Sequence, residues 1–292
     1  MSWRSPQDII SDLEHDRSLR EPDRLRERSE ALDRLENWRL CGLPSHLEPA
    51  VEAGLRDRIE ALCADLESID GPLYQSIRLD IQHGVGARRL LEWAYMDGPD
   101  HDQGDRSEGD SYDYLDALIS GVLQIDEPAI PLAGLAAEMV FYQPTPARHI
   151  FDMVARTALD ARDVLIDLGS GLGQVPMLAA ICTAARCIGI EWEAAHVECA
   201  RRCAHALNLD RVTFVQGDVR EADLSAGTVF YLYTPFEGTM LRDVLDMLRA
   251  EAATREIRIC TLGPCTATIA QERWLRAVGS WEIHRPAVFR NA

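Results

Sequence analysis

The sequence predicts an α/β protein: a Rossmann-like, doubly wound and mostly parallel sheet that ends in an antiparallel strand pair and follows an α-helical N-terminal domain. Two observations predict this fold class. From about residue 145 onward, short runs of β-forming residues alternate with longer segments of helical periodicity, which is typical of a parallel sheet covered by helices. Before that point, apolar residues recur every three or four positions, as they do in packed helices.

The first part of the chain should contain several helices. Ser5, Ser18 and Ser45 each precede an acid by three positions, which is the spacing of an N-terminal capping box. The third of these helices should end at Asp70-Gly71-Pro72, because proline lacks the N–H that a helix interior uses. Shorter helices are expected at 73–81, 86–95 and 112–123.

The second part predicts alternating strands and helices. Strands are predicted at 164–168, 187–191, 212–216, 228–233 and 257–262. Helices are predicted at 145–159, 173–184, 193–207, 238–252 and 266–277. Two last strands, 281–284 and 287–290, are divided by Pro286 and predict the terminal antiparallel pair. A doubly wound sheet of this kind leaves a ligand-binding crevice at the carboxyl ends of its parallel strands.

These patterns predict three regions. Residues 1–125 would form the helical domain, 126–144 a connecting segment, and 145–292 the α/β domain. Residues 97–111 are acidic and rich in turn-forming residues, with too few apolar side chains to join a core. This acidic loop could serve as a lid over a site or could lie idle on the surface.

The charge of the chain is strongly negative and unevenly distributed. The formal net charge is −18, of which residues 1–140 carry −16 and residues 141–292 carry −2. The chain contains no lysine, so its 30 basic residues are all arginine. The excess of acids argues against binding to nucleic-acid phosphates and is compatible with a cationic partner, although it would equally serve to keep the protein soluble.

The sequence has neither the long apolar run of a membrane span nor the N-terminal pattern of a signal peptide, which predicts a soluble cytoplasmic protein without membrane contacts. The eight cysteines form no C-x-x-C pair. We therefore interpret them as small buried hydrophobic residues and predict no metal site.

The residues after the first strand of the α/β domain carry the strongest chemical signal. Val164–Ile166 lead into Asp167, and glycines follow at 169, 171 and 173 before a helix begins near Gln174. Glycines in such a turn allow a tight bend and the close approach of a ligand to the backbone. The spacing G-x-G-x-G differs from the G-x-G-x-x-G of dinucleotide-binding folds, which argues against a nicotinamide cofactor.

Polar residues also follow the next strands. Glu191 ends the second strand, where a carboxylate can accept two hydrogen bonds from ribose hydroxyls. Asp218 follows the third strand and could accept a hydrogen bond from an adenine amino group. The fourth strand ends in Tyr231-Leu-Tyr-Thr-Pro-Phe236, where a substrate would lie. Together and in this order, these residues predict one crevice for cofactor and substrate.

In these residues the chain resembles the class I methyltransferases that use S-adenosylmethionine. Asp167–Gly173 is similar to their first motif, Glu191 matches their ribose-binding acid, and Asp218 matches the acid on the adenine side. The terminal strand pair is similar to the seventh, antiparallel strand that separates this fold from that of dehydrogenases. The resemblance covers about 141–292 and implies S-adenosyl-L-methionine as the cofactor.

Within this class, the chain is most similar to the seven-strand, non-SET histone-lysine methyltransferases and their small bacterial relatives. Gln174 completes a loop that is nearly their signature, and Phe230-Tyr-Leu-Tyr233 resembles their fourth strand. Tyr142-Gln-Pro-Thr-Pro146 resembles a loop that would close over the methionine end of the cofactor. The Asn-rich motif and basic DNA-contacting segments of the nucleosomal enzymes are absent, so the resemblance does not imply histone methylation.

The resemblance implies a cofactor site built from the glycine loop, the strand ends and the covering segment. Its predicted residues are Asp167, Gly169, Ser170, Gly171, Gly173, Gln174, Glu191, Asp218, Tyr142, Thr145 and Tyr233. Tyr142 and Tyr233 are also the preferred residues for contact with the acceptor. The other candidates for a general base, if the acceptor must lose a proton, are Tyr231, Glu237, His149 and His284.

The acceptor itself is left open by these residues. A protein side chain and a small molecule both fit, and the acidic charge slightly favours a basic or amine-bearing acceptor. Two other functions remain as alternatives: a non-catalytic protein that binds S-adenosylmethionine, and a dinucleotide-dependent oxidoreductase. The oligomeric state is not indicated by the sequence.

Overall fold

The computed structural model describes residues 5–43, 48–96, 112–128 and 142–291. The predicted acidic loop at 97–111, the capping box at Ser45 and part of the connecting segment lie outside these residues. Within the described ranges, no helix is both long enough and apolar enough to cross a bilayer.

The chain forms two compact units, Met1–Ser76 and Ile77–Ala292. The first unit contains α1 (Pro6–His15), a 3-10 helix (Arg17–Arg20), α2 (Leu25–Cys41) and most of α3 (Pro49–Gln82). Its apolar side chains form a buried cluster that includes Ile10, Leu35, Ile59 and Leu66. The three predicted regions, with their boundaries after residues 125 and 144, stay a prediction.

Two of the capping predictions lie in this unit. Ser5 caps α1 as predicted, because its hydroxyl accepts a hydrogen bond from the Asp8 N–H at 3.2 Å. The prediction at Ser18 is wrong. Asp16 caps the 3-10 helix instead, accepting from the Ser18 N–H at 2.9 Å, and α2 begins only at Leu25. Ser18 therefore lies inside a helical turn and not at its start.

The predicted break at Asp70-Gly71-Pro72 is also wrong, because α3 continues through these residues. An internal proline costs a helix roughly 3 kcal/mol, since it removes a backbone hydrogen bond. Asp70 faces Arg28 of α2, whose fully buried guanidinium donates to Asp70 Oδ1 at 2.8 Å. This buried ion pair and the apolar stripe that includes Leu66 favour the continuous helix over the break.

The second unit begins with helices and continues as alternating strands and helices. The helices are α4 (Gly86–Ala94), α5 (Tyr114–Leu123), α6 (Ala147–Thr157), α7 (Gln174–Cys182), α8 (Ala194–Ala206), α9 (Gly238–Ala252) and α10 (Cys265–Ile269), with a 3-10 helix at Val219–Glu221. The strands are β1 (Val164–Leu168), β2 (Arg186–Glu191), β3 (Val212–Gln216), β4 (Val229–Tyr233), β5 (Arg258–Leu262), β6 (Leu275–Ala277) and β7 (Ala287–Asn291).

The strands of the described chain form a seven-stranded sheet in the order β3-β2-β1-β4-β5-β7-β6. β1 to β5 pair in parallel, and β7 is antiparallel to both of its neighbours, β5 and β6. The predicted fold class, including the antiparallel pair at the end of a mostly parallel sheet, is therefore confirmed. Because the strand order reverses between β1 and β4, the carboxyl ends of these two strands border a crevice.

The predicted elements near the C-terminus are wrong in position. The expected helix at 266–277 is only the short α10, and the first strand of the pair is Leu275–Ala277, not 281–284. Leu275 is buried, whereas Trp281 is 41% exposed. The segment 275–277 therefore packs a side chain against the core, and it is this segment that pairs with β7. The segment predicted as a strand is a turn whose Ile283 carbonyl accepts a hydrogen bond from the Gly263 N–H at 2.8 Å.

The central strands are buried on both faces of the sheet. All five residues of β1 are buried, and so are the first four of β4. Both are nearly continuous apolar runs, as a parallel sheet covered by helices requires. Asp167 is the one carboxylate in β1, and its position at the carboxyl end of the strand places it at the crevice.

A polar network joins the amino ends of β1, β4 and β5, at the other end of the strands from the crevice. Asp163 accepts hydrogen bonds from Thr228 Oγ1 at 2.8 Å and from the Asp160 N–H at 2.9 Å, and it pairs with Arg258. Arg258 also donates to the carbonyl of Thr157. Burial acts to raise the pKa of Asp163, but the hydrogen bonds from Arg258, Asp160 and Thr228 outweigh it and lower the pKa.

We expect Asp163→Asn to destabilise the fold by about 2–3 kcal/mol, because it leaves the half-buried Arg258 without its counter-charge. The pKa of Asp163 is lower in the folded state than in the unfolded state. The stabilisation that ionised Asp163 gives to the folded state is therefore present at neutral pH. It is lost as the pH falls below about 4 and passes through the lowered pKa of the folded state. Urea unfolding at pH 7 and pH 3 should show a larger loss of stability for the wild type than for Asp163→Asn.

The matched control is Asp210→Asn, which removes the same charge from an exposed position. It should leave both the stability at pH 7 and its loss at pH 3 close to those of the wild type. An equal pH dependence for wild type and Asp163→Asn would contradict the assignment.

Candidate functional site

A cavity of about 770 Å³ lies at the carboxyl ends of β1 to β5. Each of these strands contributes to its wall: Asp167 from β1, Glu191 from β2, Asp218 after β3, Tyr233 from β4 and Gly263 after β5. The segment before α6 lines a further part of the wall. The crevice that the topology predicts is therefore a real cavity, and residues far apart in sequence meet around it.

The glycine loop after β1 is held in contact with two other elements. Gly169 has a φ of +90° and Gly171 a φ of +50°, which side-chain-bearing residues rarely adopt. A Cβ on Gly169 would overlap Pro235, and one on Gly171 would lie 2.5 Å from Cδ2 of Tyr142. These two glycines therefore let Pro235 and Tyr142 approach the loop. Gly173 lies apart from the cavity lining, at the start of α7.

Ser170 is the polar side chain of this loop. Its hydroxyl oxygen is buried and has no hydrogen-bond partner, and the residue lines the cavity. The oxygen lies against Gly189 of β2 and is not exposed to the cavity, so it is the backbone of the loop that faces the space.

Glu191 is tied to the glycine loop by its carboxylate. Oε2 accepts from the Gly171 N–H at 2.8 Å, and Oε1 accepts from the Glu193 N–H at 2.8 Å. His196 Nδ1 lies 3.9 Å from the same Oε1. Burial acts to raise the pKa of Glu191, but the neighbouring His196 and the hydrogen bonds from the Glu193 and Gly171 N–H groups outweigh it and lower the pKa. Glu191 therefore stays ionised inside the cavity wall.

Asp167 is the second buried acid. It is 3% exposed, and burial followed by the charge of Glu191 raises its pKa well above the usual value. The two acids thus shift in opposite directions, because only Glu191 has donors to stabilise its charge. A cationic group in the cavity would favour the ionised form of Asp167.

Asp218 is held by its own loop. Its oxygens accept from the Arg220 N–H at 2.9 Å and from the Arg220 guanidinium at 2.5–3.1 Å. These hydrogen bonds with Arg220 are the main cause of its lowered pKa. The carboxylate is 11% exposed and remains part of the cavity wall.

The segment Tyr142–Pro146 covers the glycine loop and is anchored from α5. The Tyr112 hydroxyl donates to the Pro144 carbonyl at 2.7 Å. Asp116 Oδ1 accepts from the N–H of Ala147, the first residue of α6, at 2.8 Å, and burial raises the pKa of Asp116 to about 6. Thr145 Oγ1 lies 3.4 Å from the Tyr231 hydroxyl. The covering segment is thus held by Tyr112 and Asp116 on one side and by Tyr231 of β4 on the other.

The loop after β4 forms the other end of the cavity. Thr234 has a φ of +41°, a strained conformation for a β-branched residue. Its hydroxyl donates to the Leu262 carbonyl at 3.4 Å, which helps to hold the turn. Tyr233 and Glu237 flank this turn and both line the cavity.

Most of the predicted site residues meet in this cavity. Those that line it are Tyr142, Thr145, Asp167, Gly169, Ser170, Gly171, Gln174, Glu191, Asp218 and Tyr233. Of the other candidates for a base, Tyr231, Glu237 and His284 also line it, whereas His149 is buried in α6 outside the lining.

Several lining residues escaped the sequence analysis, among them Glu127, Trp192 and His196. Trp192 directly follows Glu191, and His196 lies five positions after it, at the start of the next helix. Their short separation from Glu191 in the sequence could have identified them, because the helices of this fold begin at the ligand crevice. Glu127 carries no such signal, because it follows none of the predicted strands.

The ionisable side chains of the cavity wall are mainly acidic. Six lining residues are acids: Glu127, Asp167, Glu191, Glu193, Asp218 and Glu237. The only residues with basic side chains in the described lining are His196 and His284, and arginine is absent from it. Such a wall attracts cations and repels phosphates. A sulfonium cofactor with an adenosine moiety fits it, since the acids attract its positive charge and Glu191 can accept hydrogen bonds from ribose hydroxyls.

Comparison with known proteins gives one family match. Residues 138–228 match the model of the family described as histone methylation protein DOT1. The matched range contains the glycine loop, Glu191 and Asp218. No curated protein matches the chain.

Several solved structures resemble part of the chain. An RNA methyltransferase from Salinibacter ruber in complex with S-adenosyl-L-homocysteine is 29% identical, with a TM-score of 0.42, over 51% of this chain and 92% of that chain. A methyltransferase from Geobacter sulfurreducens is 17% identical, with a TM-score of 0.39, over 51% and 79% of the two chains. A precorrin-6y C5,15-methyltransferase from Geobacter metallireducens is 17% identical, with a TM-score of 0.37, over 54% and 91%.

The predicted resemblance to the non-SET histone-lysine methyltransferase branch is confirmed by the DOT1 match, which covers the segment 142–146 and the glycine loop with Gln174 but ends before the fourth strand. The sheet order is that of the predicted class, with the antiparallel strand that dehydrogenases lack. The chain is an S-adenosylmethionine-dependent methyltransferase, and S-adenosyl-L-methionine is its cofactor.

Proposed function

We propose that this methyltransferase transfers the methyl group of S-adenosylmethionine to a cationic or amine-bearing acceptor, with a protein side chain favoured over a small molecule. The observation that carries the acceptor class is the acidic cavity wall, in which six carboxylates face two histidines and no arginine among the described lining residues. The DOT1 match supports a protein acceptor. Phosphate-bearing acceptors such as nucleic acids are disfavoured by the same charges.

The residues that would hold the cofactor divide by position. Glu191 would accept from the ribose hydroxyls, and Asp218 lies where the adenine amino group is expected. Glycines 169 and 171 with Ser170 would contact the cofactor closely, and Tyr142 and Thr145 would cover its methionine end. Gly173 and Gln174 would support the loop at the start of α7.

The cofactor supplies a methyl group that is already activated for displacement, so the protein contributes orientation and exclusion of water. Burial raises the pKa of Tyr142, and the charge of Glu127 raises it further. Burial also raises the pKa of Tyr231 well above its usual value. Both phenols therefore stay protonated at neutral pH, and they would orient groups by donating hydrogen bonds instead of accepting a proton.

The acceptor would enter at the end of the cavity that Tyr233 and Glu237 line. Glu237 is exposed, and its side chain does not cap α9, although the residue occupies the cap position. An exposed carboxylate at this place can attract a cationic acceptor and accept a hydrogen bond from its amine. Glu127 lies on the side of Tyr142 and would add to the same attraction.

The acceptor class can be tested with S-adenosylmethionine that carries a labelled methyl group. Wild-type protein is incubated with a basic protein mixture, a polyamine mixture or total RNA, and the label in each fraction is counted. We expect label in the basic protein, or failing that in the polyamines, and background counts in RNA. Transfer to RNA alone would refute the proposed acceptor class. Cofactor binding without transfer to any fraction would favour the non-catalytic alternative.

We expect Glu237→Gln to raise the KM for the acceptor by about fivefold, because it removes one charge of attraction at the cavity mouth. The Kd for S-adenosylmethionine, measured by calorimetry, should change by less than about twofold. Glu256→Gln is the matched control, since Glu256 is exposed and lies outside the cavity lining. An equal rise of the KM in both variants would assign the effect to net charge and would contradict a local role.

We expect Gly171→Ala to weaken S-adenosylmethionine binding by about tenfold or more, because the new methyl group would displace Tyr142 and strain a backbone with positive φ. Gly217→Ala is the matched control: Gly217 lines the same cavity, yet a Cβ there would meet no atom within 4 Å. Calorimetric titration of both variants should separate them. Near-wild-type affinity of a folded Gly171→Ala variant would refute the role of the loop.

A further inference from the structure

His196 occupies a position between two parts of the cavity wall. It lies near the start of α8, is 7% exposed and lines the cavity. On one side, its Nδ1 lies 3.9 Å from Oε1 of Glu191. On the other side, its ring lies against that of Tyr142, with the ring centroids 5.0 Å apart and the planes at 53°.

These contacts complete a closed circuit around the glycine loop. Gly171 donates its N–H to Glu191, Glu191 faces His196, His196 packs on Tyr142, and the ring of Tyr142 lies over Gly171. A change at any of the four members should therefore affect the position of the others.

We propose that His196 is a positioning residue that couples the closure of the covering segment at Tyr142 to the orientation of the Glu191 carboxylate. This inference rests on the proposed roles of Tyr142 and Glu191 in cofactor binding. The imidazole ring supports the Tyr142 ring over the glycine loop. Its Nδ1 faces Glu191 Oε1 and favours the carboxylate orientation in which Oε2 accepts from Gly171. His196 acts through these two residues and takes no part in the transfer of the methyl group.

Three variants separate the two contacts of His196. His196→Ala removes both the ring and the polar atom. His196→Phe keeps a ring for Tyr142 but has no donor for Glu191, whereas His196→Asn keeps a polar atom near the position of Nδ1 but has no aromatic ring. His205→Ala is the control, because His205 is exposed on the same helix and lies outside the cavity lining.

The readout is the Kd for S-adenosylmethionine and for S-adenosylhomocysteine by calorimetry, on variants whose thermal unfolding matches that of the wild type. We expect His196→Ala to raise both Kd values about tenfold and His205→Ala to leave them unchanged. His196→Phe and His196→Asn should each recover part of the loss. A loss of equal size in all three variants, or no loss in any of them, would overturn the inference.

A double-mutant cycle tests the coupling itself. Tyr142→Ala and His196→Ala are combined, and the Kd of the double variant is compared with the product of the two single effects. Because Tyr142 and His196 belong to the same set of contacts, the Kd of the double variant should be close to the larger of the two single-variant Kd values. Independent, multiplicative effects would overturn the coupling. If the wild type itself binds neither ligand, the proposed function fails, which is a different outcome from unchanged binding in the variants.

Discussion

The cavity depends on the close approach of the glycine loop to the elements around it. Gly171 reaches the Glu191 carboxylate through its N–H and lies beneath the Tyr142 ring, while Gly169 lies against Pro235. Both approaches require a missing Cβ and a positive φ. The loop thereby connects β1 to the end of β2, to the covering segment and to the turn after β4. Without it, these elements would have no common surface on which to bind a ligand.

The two acids nearest this loop, Glu191 and Asp167, have pKa values that shift in opposite directions. Glu191 has backbone donors and a neighbouring histidine, so its pKa is lowered despite burial. Asp167 lies deeper and next to that fixed charge, so its pKa is raised. This pair of acids, of which Glu191 is ionised and Asp167 ionises more easily beside a cation, suits a positively charged cofactor. The pattern follows from which acid lies within reach of donors, and not from the number of acids.

Much of this site follows from the sequence because its signals are local. A strand, a glycine turn and a helix start are contiguous, and an acid at the end of the next strand must lie beside them in a parallel sheet. Where local signals misled, tertiary contacts decided. The ion pair of Asp70 with the buried Arg28 favours a continuous helix across Pro72, and Leu275 makes the edge strand where periodicity suggested a helix. His196 is harder to identify from sequence, because its ring lies against that of Tyr142, 54 positions earlier in the chain.

The net charge of the whole chain says less about the proposed acceptor than the charged residues that line the cavity do. Nearly all of the net charge lies in residues 1–140, yet five of the six cavity acids follow residue 141, in a region of net charge −2. Arg258 pairs with Asp163 at the opposite ends of the strands, whereas Arg220 lies outside the described lining but is bound to Asp218 and offsets the charge of that one acid. Because a low-dielectric wall strengthens nearby charges and solvent screens distant ones, we expect the ionised cavity acids to outweigh the acidic surface in attracting a ligand. A region with a net charge of only −2 can therefore hold an acidic site, and the proposed preference for a cation depends on the absence of arginine from the described lining.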